Sequence, residues 1–250
     1  MSKVNPYFSI ITVCYNSEKT IERTISSLRN QTFRNFEYII IDGGSTDSTL
    51  EIIKKNQDVV SVLVSEKDEG IYDAMNKGIN LASGEMVGII NSDDWYENDT
   101  LENIFKISSG QSNLVIHGLC RYFNGNEINQ IIGYHHSNLP LYSISHPTCF
   151  VSKSLYVAKG KFHTNYKIAA DYDLLLRFYL DKVKFIFVEA IIANFQNGGA
   201  SSSRFSKYEF LSVKFRNNQI SRFEFVGLNI VYSFKLLLIY FLARFKLIKS

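Results

Sequence analysis

FSIITVCYNSEKTIERTISSLRNQTFRNFEYIIIDGGSTDST, residues 8 to 49, is the stretch whose reading decides the fold. Its first six residues, FSIITV, form a short apolar, β-branched run that suits a buried strand. Ile21, Ile25 and Leu28 then recur at helical spacing within residues 18 to 31. A second apolar run, FEYIIID (36 to 42), follows, and Ser45, Thr46 or Asp47 can cap the next helix. Strand, helix, strand is therefore the repeating unit.

The unit recurs downstream. VVSVLVS (59 to 65) precedes the helical pattern IYDAMNKGINLA (71 to 82), and EMVGIIN (85 to 91) leads through an acidic turn into a helix near residues 99 to 107. Such alternation predicts an α/β fold with a mostly parallel sheet flanked by helices. Ligands of such sheets bind beyond the carboxyl ends of the strands. The chemistry is thus expected at Cys14 to Ser17, Asp42 to Asp47, Glu66 to Gly70 and Asn91 to Tyr96. After Ser112 the alternation breaks down. A strand-like NLVIHGLC, a hairpin around Asn124 and Gly125, a loop with His135, His136 and Pro140, a helix over 171 to 180 and a strand over 183 to 195 precede NGGASSS.

With 250 residues, 46% of them apolar, the chain can bury a substantial core. The expectation is a body over 1 to 200, with a first half (1 to 110) and a second half (111 to 200), and an appendage over 201 to 250. Cys14, Cys120 and Cys149 lack the paired spacing of zinc or redox sites, which fits a reducing cytoplasm. No basic segment followed by a long apolar stretch opens the chain, so no cleaved export signal is expected. The net charge of +3 is unevenly spread, with +7 over residues 201 to 250 and −4 over the first 200. An acidic body argues against nucleic acid as a partner, and a basic, apolar tail favours a phospholipid surface.

Within the tail, Ile230, Phe234, Leu237, Leu238, Phe241 and Phe245 share one helical stripe, opposite Asn229, Ser233, Lys235, Tyr240 and Arg244. This predicts an amphipathic helix. Interfacial membrane binding and docking on the protein's own core both fit it.

Asn91-Ser92-Asp93-Asp94 places two carboxylates on one turn, where they can converge on a hard cation, Mg2+ or Mn2+, and leave positions open for phosphate oxygens. The same residue types also make a plain turn and helix start. Asp42, followed by Gly43-Gly44, can accept a hydrogen bond from a base or ribose, or can serve the helix-entry turn with Ser45 and Asp47.

Taken together and in order, TVCYNSEKTI, IIIDGGSTDST, KDEGIYDAMNKGI and NSDDW resemble glycosyltransferase family 2, the inverting sugar-nucleotide transferases of the GT-A, Rossmann-like fold. The likeness continues through SHPTCFV (145 to 151), IAADYDLLLRF (168 to 178) and NGGASSS, and is nearest to the branch that builds bacterial surface polysaccharides such as O-antigen, capsule and exopolysaccharide.

The resemblance implies that Thr12, Val13, Tyr15 and Asn16 line the nucleotide site, with Asp42 on the uracil of a UDP-sugar. It also implies Asp93 near the ribose, Asp94 as ligand of Mn2+ or Mg2+, and Asp68 and Asp73 near the donor. Asp171 matches the general base, Asp173 being the alternative, although Ala170 stands where relatives carry Glu; Asn91 likewise replaces an acid. His146 matches a histidine close to the metal, or is a structural group. Trp95 either stacks on the acceptor sugar or packs.

The implied enzyme is a metal-dependent, inverting hexosyltransferase. It would act on a lipid-linked saccharide at the inner face of the cytoplasmic membrane, held there peripherally by the tail. A nucleotidyltransferase shares the sheet and metal logic, but no Lys- and Arg-rich phosphate loop follows the first strand. A noncatalytic scaffold is the remaining alternative.

Overall fold

A computed structural model describes residues 5–198 and 206–232 and divides the chain into two compact units, Met1–Ser202 and Ser203–Ser250. In the first unit β1 (Phe8–Cys14), α1 (Ile21–Arg29), β2 (Phe36–Asp42), α2 (Thr49–Lys55), β3 (Val62–Ser65), α3 (Ile71–Leu81) and β4 (Met86–Ile89) follow in order. All seven residues of β1 are buried, because the strand lies inside the sheet between β2 and β4 with helices over its faces. β3 is shorter than the apolar run 59 to 65 and stands at the sheet edge, where its side chains are only half-buried.

Gly78 lets α3 sit close against β1: a methyl group there would come 2.5 Å from Ile11 Cγ2. The main core lies between the strands and α1 and α4 (Thr100–Ser108), where Phe8, Ile25, Leu28, Tyr38, Ile104 and Phe150 are fully buried.

Beyond β4 the topology changes. β5 (Trp95–Tyr96), β6 (Leu114–Asn124), β7 (Glu127–Ile132), β8 (Phe150–Ser152), α5 (Lys153–Lys159), α6 (Ala170–Leu180) and β9 (Lys184–Gln196) complete the unit. The strand order is β3-β2-β1-β4-β8-β6-β9-β5, with β7 on β6.

The expected mostly parallel sheet is in fact mixed. β1–β2, β1–β4, β2–β3 and β6–β9 run parallel, while β4–β8, β6–β8, β6–β7 and β5–β9 run antiparallel. A parallel neighbour needs a crossover long enough to bring the chain back to the same end. α1, α2 and the segments around them supply that in the first half. β6 instead turns directly into β7, and the chain then returns to place the three-residue β8 between β4 and β6 in the opposite direction. Elements of two or three residues, such as β5 and β8, have no periodicity to read.

The second unit contains α7 (Ser206–Arg216) and a helical stretch over 222–232, in which Phe215 and Phe225 stack at 4.8 Å. Among the described residues no helix is long and apolar enough to cross a membrane. Of the proposed tail stripe, Ile230 is described and 62% exposed; Phe234 to Phe245 lie outside the described residues.

Candidate active site

Side-chain to main-chain bonds lock together the segments that follow β1 and β2. The Asn16 amide donates to Ser45 Oγ at 2.8 Å, and Thr46 N–H donates to Asn16 Oδ1 at 2.9 Å. Asn16 adopts a left-handed backbone, φ 49°, a conformation that Asn tolerates better than most residues. Ser17 N–H donates to Thr49 Oγ1, and Asp47 accepts from the amides of Glu18 and Thr49; the N-cap of α2 is Ser48, one residue beyond the expected Ser45, Thr46 or Asp47, and its side chain makes no capping bond.

Thr12 and Val13 are buried at the end of β1, and Thr12 Oγ1 accepts from the Tyr38 hydroxyl at 3.0 Å. Tyr15 is 62% exposed on the loop that follows.

Asp42 is fully buried, and both of its oxygens are used within the fold. Its carboxylate accepts from the amides of Gly44 (3.1 Å) and Ser45 (3.1 Å) and from the hydroxyls of Ser45 and Ser65 (2.7 Å). Within the fold the carboxylate holds the Gly43-Gly44 loop in shape. Asp73, in the first turn of α3, accepts from Glu69 N–H at 3.1 Å and pairs with Lys77 at 3.3 Å. Asp68, half-buried beside the loop, accepts from Gly70 N–H at 2.9 Å.

The acidic pair follows β4. Asp94 is fully buried; Oδ1 accepts from Gln196 N–H at 3.0 Å and Oδ2 faces Asn91 Nδ2 at 3.5 Å. Its main-chain carbonyl accepts from Thr24 Oγ1 at 2.7 Å, which pins the turn to α1. Burial, and then the neighbouring charge of Asp93, raise the Asp94 carboxyl well above the ordinary range, against the opposing pull of the Gln196 amide. Asp93 is raised by burial too, with Arg23 pulling the other way. Asn91 Oδ1 is buried without a hydrogen-bond partner.

An all-oxygen set of two carboxylates and an orphaned carbonyl suits a hard divalent cation, whose charge would offset the cost of ionising a buried Asp94 beside a half-buried Asp93. Among the described residues, no group of three or more His, Cys, Asp or Glu is gathered to hold a metal ion.

Arg23, on α1, donates to the Asp93 carbonyl at 2.9 Å and rests its guanidinium 3.6 Å above the Trp95 ring. Trp95 also meets Phe123, with ring centroids 4.9 Å apart, so packing accounts for much of its half-buried surface. Arg23 escaped the sequence reading because it belongs to no motif and reaches the acidic turn only through the docking of α1.

Asp171 lies in the first turn of α6, and its Oδ1 is 3.2 Å from the Tyr72 hydroxyl of α3, which also donates to the Ile168 carbonyl at 2.5 Å. Tyr72 thus ties the helix behind the Asp68 loop to the start of α6, which carries Asp171. Its signal was present inside GIYDAM but indistinguishable from a core aromatic.

Asp173, the alternative base, is 2% exposed and engaged by Arg177 at 2.9 Å and His163 at 2.8 Å, an arrangement suited to anchoring α6. His146 is half-buried, edge-on to Phe162 at 5.6 Å, and burial lowers its pKa to about 4, so the ring is neutral at pH 7 as a metal ligand must be. Burial first, and then a neighbouring carboxylate, push two thiols up, with Asp94 acting on Cys120 and Asp171 on Cys149. A cavity of about 420 Å³ lined by His136, Tyr179, Lys182 and Phe185 includes none of these residues.

The profile of glycosyl transferase family 2 matches residues 9–160. A PGL/p-HBAD biosynthesis glycosyltransferase of Mycobacterium bovis (strain BCG / Pasteur 1173P2) is 27% identical over 219 residues, 82% of this chain and 83% of the relative. The putative glycosyltransferase EpsH of Bacillus subtilis (strain 168) is 35% identical over 119 residues, 47% of this chain and 34% of its own. Among solved structures, S. aureus TarS 1-349 in complex with UDP superposes with a TM-score of 0.69 at 22% identity, over 84% of this chain; the alignment spans 64% of the TarS chain. The mannosyltransferase PcManGT from Pyrobaculum calidifontis, in complex with GDP-Man and Mn2+, gives 0.59 at 17% identity, covering 85% of this chain and 61% of that one.

Proposed function

We propose, from the premise that the chain belongs to glycosyl transferase family 2, that it moves a hexose or N-acetylhexosamine from a UDP-sugar to a hydroxyl of a lipid-linked saccharide during surface-polysaccharide synthesis. The observation that carries this reading is the line of features along one edge of the sheet. The interlocked β1 and β2 loops lie on one side, the Asp93-Asp94 turn with its buried Asp94 follows β4, and Asp171 is tethered by Tyr72 at the start of α6. Names of similar proteins point the same way: one belongs to PGL/p-HBAD biosynthesis, and TarS was solved with UDP.

In this reading residues 1 to 110 hold the donor and 111 to 200 the acceptor. Thr12 and Val13 offer main-chain groups to the nucleotide, Tyr15 and Asn16 form its wall, Asp93 serves the ribose, and Asp73 shapes the donor loop. Asp94, with His146 nearby in the family pattern, holds Mn2+ or Mg2+; when bound, the cation neutralises charge on the departing diphosphate. Asp171 accepts the proton of the acceptor hydroxyl as that oxygen bonds to the anomeric carbon and the bond to the diphosphate oxygen breaks. Attack opposite the leaving group inverts the anomeric centre. Trp95 with Arg23 on its face borders the acceptor side. Residues 201 to 250, with their charge of +7, attach the enzyme peripherally to the anionic inner face of the membrane.

The test is a panel of UDP-sugars offered to the purified full chain with Mn2+ and a synthetic lipid-diphosphate saccharide, followed by assignment of the product linkage. Formation of an inverted glycosidic bond, lost in Asp171→Asn and in Asp94→Asn, supports the reading. Nucleotide binding without turnover on any member of the panel would favour a scaffold. Deleting residues 225 to 250 should release the protein from anionic vesicles; retention would point to a tail docked on protein.

A further inference from the structure

EINQII, residues 127 to 132, is β7, the outer strand of the hairpin that continues β6. Asn124 and Glu127 close the turn across Gly125 and Asn126, with Gly125 at φ 60°, the left-handed backbone that a two-residue hairpin loop asks of its first residue. β7 pairs with β6 on one side, and among the described residues no strand pairs with its other side. Its first five residues are exposed and the sixth is half-buried. Protein edges of this kind are commonly blunted by lysine, by proline or by a covering element. β7 has no Lys and no Pro, and its single charge is Glu127.

The ladder to β6 is irregular in a way that sorts the side chains. Phe123 stands opposite Ile128 and Tyr122 opposite Gln130, so Asn129 is an extra residue on β7. In a regular strand Ile128 and Ile131, three positions apart, would point to opposite faces. With Asn129 bulged out they share one face, that of their β6 partners Phe123 and Arg121. They are 60% and 50% exposed there. Tyr134, just past the strand, stacks on Tyr142 with ring centroids 5.5 Å apart, and both rings are exposed, as is Leu141.

We infer that this edge pairs with a second copy of the chain, β7 against β7, antiparallel about a twofold axis at Gln130. The strand is self-complementary in that register. Ile128 faces Ile131 of the second copy, and by symmetry the same contact forms twice. Gln130 faces Gln130, whose amides both donate and accept. Glu127 faces Ile132, which leaves the two Glu127 carboxylates four paired positions apart, about 13 Å, beyond the screening length at physiological salt.

A strand suits this edge better than a lipid surface, because its outward main-chain N–H and C=O groups would have no partner in hydrocarbon. Area points the same way. Ile128, Ile131, Tyr134, Leu141 and Tyr142 each leave about half of their surface in solvent. At about 200 Å² per side chain that is about 500 Å² per copy, hence about 1,000 Å² for the pair, the lower end of specific interfaces. Behind β7, Phe123 of β6 packs on Trp95 beside the Asp93-Asp94 turn, so the pairing would also steady that rim. It does not depend on the sugar-nucleotide reading.

Sedimentation velocity of the full chain across the micromolar range tests this, with thermal melting of every variant alongside. Wild type should show a monomer–dimer equilibrium. Ile128→Lys and Ile131→Lys should each raise the dimer dissociation constant about tenfold or more, since each change enters the interface twice. Gln130→Cys should join two chains by a disulfide under oxidised glutathione, because a residue opposite its own copy brings the two Cβ atoms within bridging range, whereas Glu127→Cys should not. Cys14, Cys120 and Cys149 are buried and stay out of that reaction. Should a lysine variant melt early, the two cysteine variants decide on register alone.

The inference is overturned if the full chain stays monomeric across that range, if a dimer survives both lysine variants, or if Glu127→Cys cross-links as readily as Gln130→Cys. A monomer whose binding to neutral phosphatidylcholine vesicles is lost in Ile131→Lys would assign the patch to lipid instead.

Discussion

Replacing Asp94 by Asn should make the metal-free protein more stable while removing its response to divalent cations. The Asp94 carboxyl is fully buried and its pKa is raised by desolvation and by Asp93. A carboxyl raised on folding contributes stability that is present below its unfolded pKa and is lost as pH rises through the folded value. Ionising Asp94 therefore works against the metal-free fold as pH rises.

Asn is isosteric, keeps an oxygen for the Gln196 amide, and brings an NH2 toward Asn91, whose Oδ1 is a buried acceptor without a partner. Turning the Asn91 amide would let the two side chains bond. A gain of about 1 kcal/mol from that bond raises the melting temperature by about 2–4 °C in a domain of this size.

Wild type, by contrast, should gain about 2.7 kcal/mol at a Mn2+ concentration of 100 times its dissociation constant, and Asp94→Asn should lose nearly all of that gain. The wild-type Mn2+ shift should also grow with pH as the raised carboxyls ionise. Differential scanning fluorimetry between pH 5.5 and 8, with and without Mn2+, reads all three effects. A metal-free Asp94→Asn that melts below wild type, or one whose Mn2+ shift is intact, would refute the argument.

Other expectations follow from single contacts. Tyr72→Phe removes a hydroxyl 3.2 Å from Asp171 Oδ1. With a hydrogen bond to its charged form gone, Asp171, the proposed base, should ionise at higher pH; kcat should fall about tenfold and the acid limb of the rate profile should move up, whereas an unchanged limb with lower stability would mean a packing role only. Gly78→Ala forces a methyl group to 2.5 Å from Ile11 Cγ2, and overpacking of this kind costs about 1–3 kcal/mol, offset in part by alanine's better helix propensity, so urea unfolding should shift to lower midpoint.

Burial lowers His117 to about 3 and His146 to about 4. Their unfolded forms protonate near 6.5, so unfolding takes up protons as pH falls from about 6.5 to about 4, and stability should drop across that window by up to about 1.4 kcal/mol per pH unit per histidine. Equilibrium unfolding at pH 7.5 and pH 5 checks this, and a flat response would contradict the desolvation of the two rings.

The alternation of strand and helix from Phe8 to Leu81 could be read from the sequence because each element there is long enough to show its period. The grouping of the loops after β1, β2 and β4 followed from that alone, since these strands are parallel neighbours whose carboxyl ends share an edge. The acidic turn was legible in the same way, as two adjacent carboxylates just past a buried strand.

What the three-dimensional structure decided depends on residues far apart in the chain. The antiparallel insertion of β8 rests on three residues that carry no pattern. The engagement of Asp42 needs Ser65, that of Asp94 needs Gln196, and that of Asp173 needs His163, so no local motif distinguishes a carboxylate open to a ligand from one already satisfied. A sequence gives the chemical type of a side chain; its remaining valence for a ligand is set only when burial and hydrogen bonds from other elements have been counted.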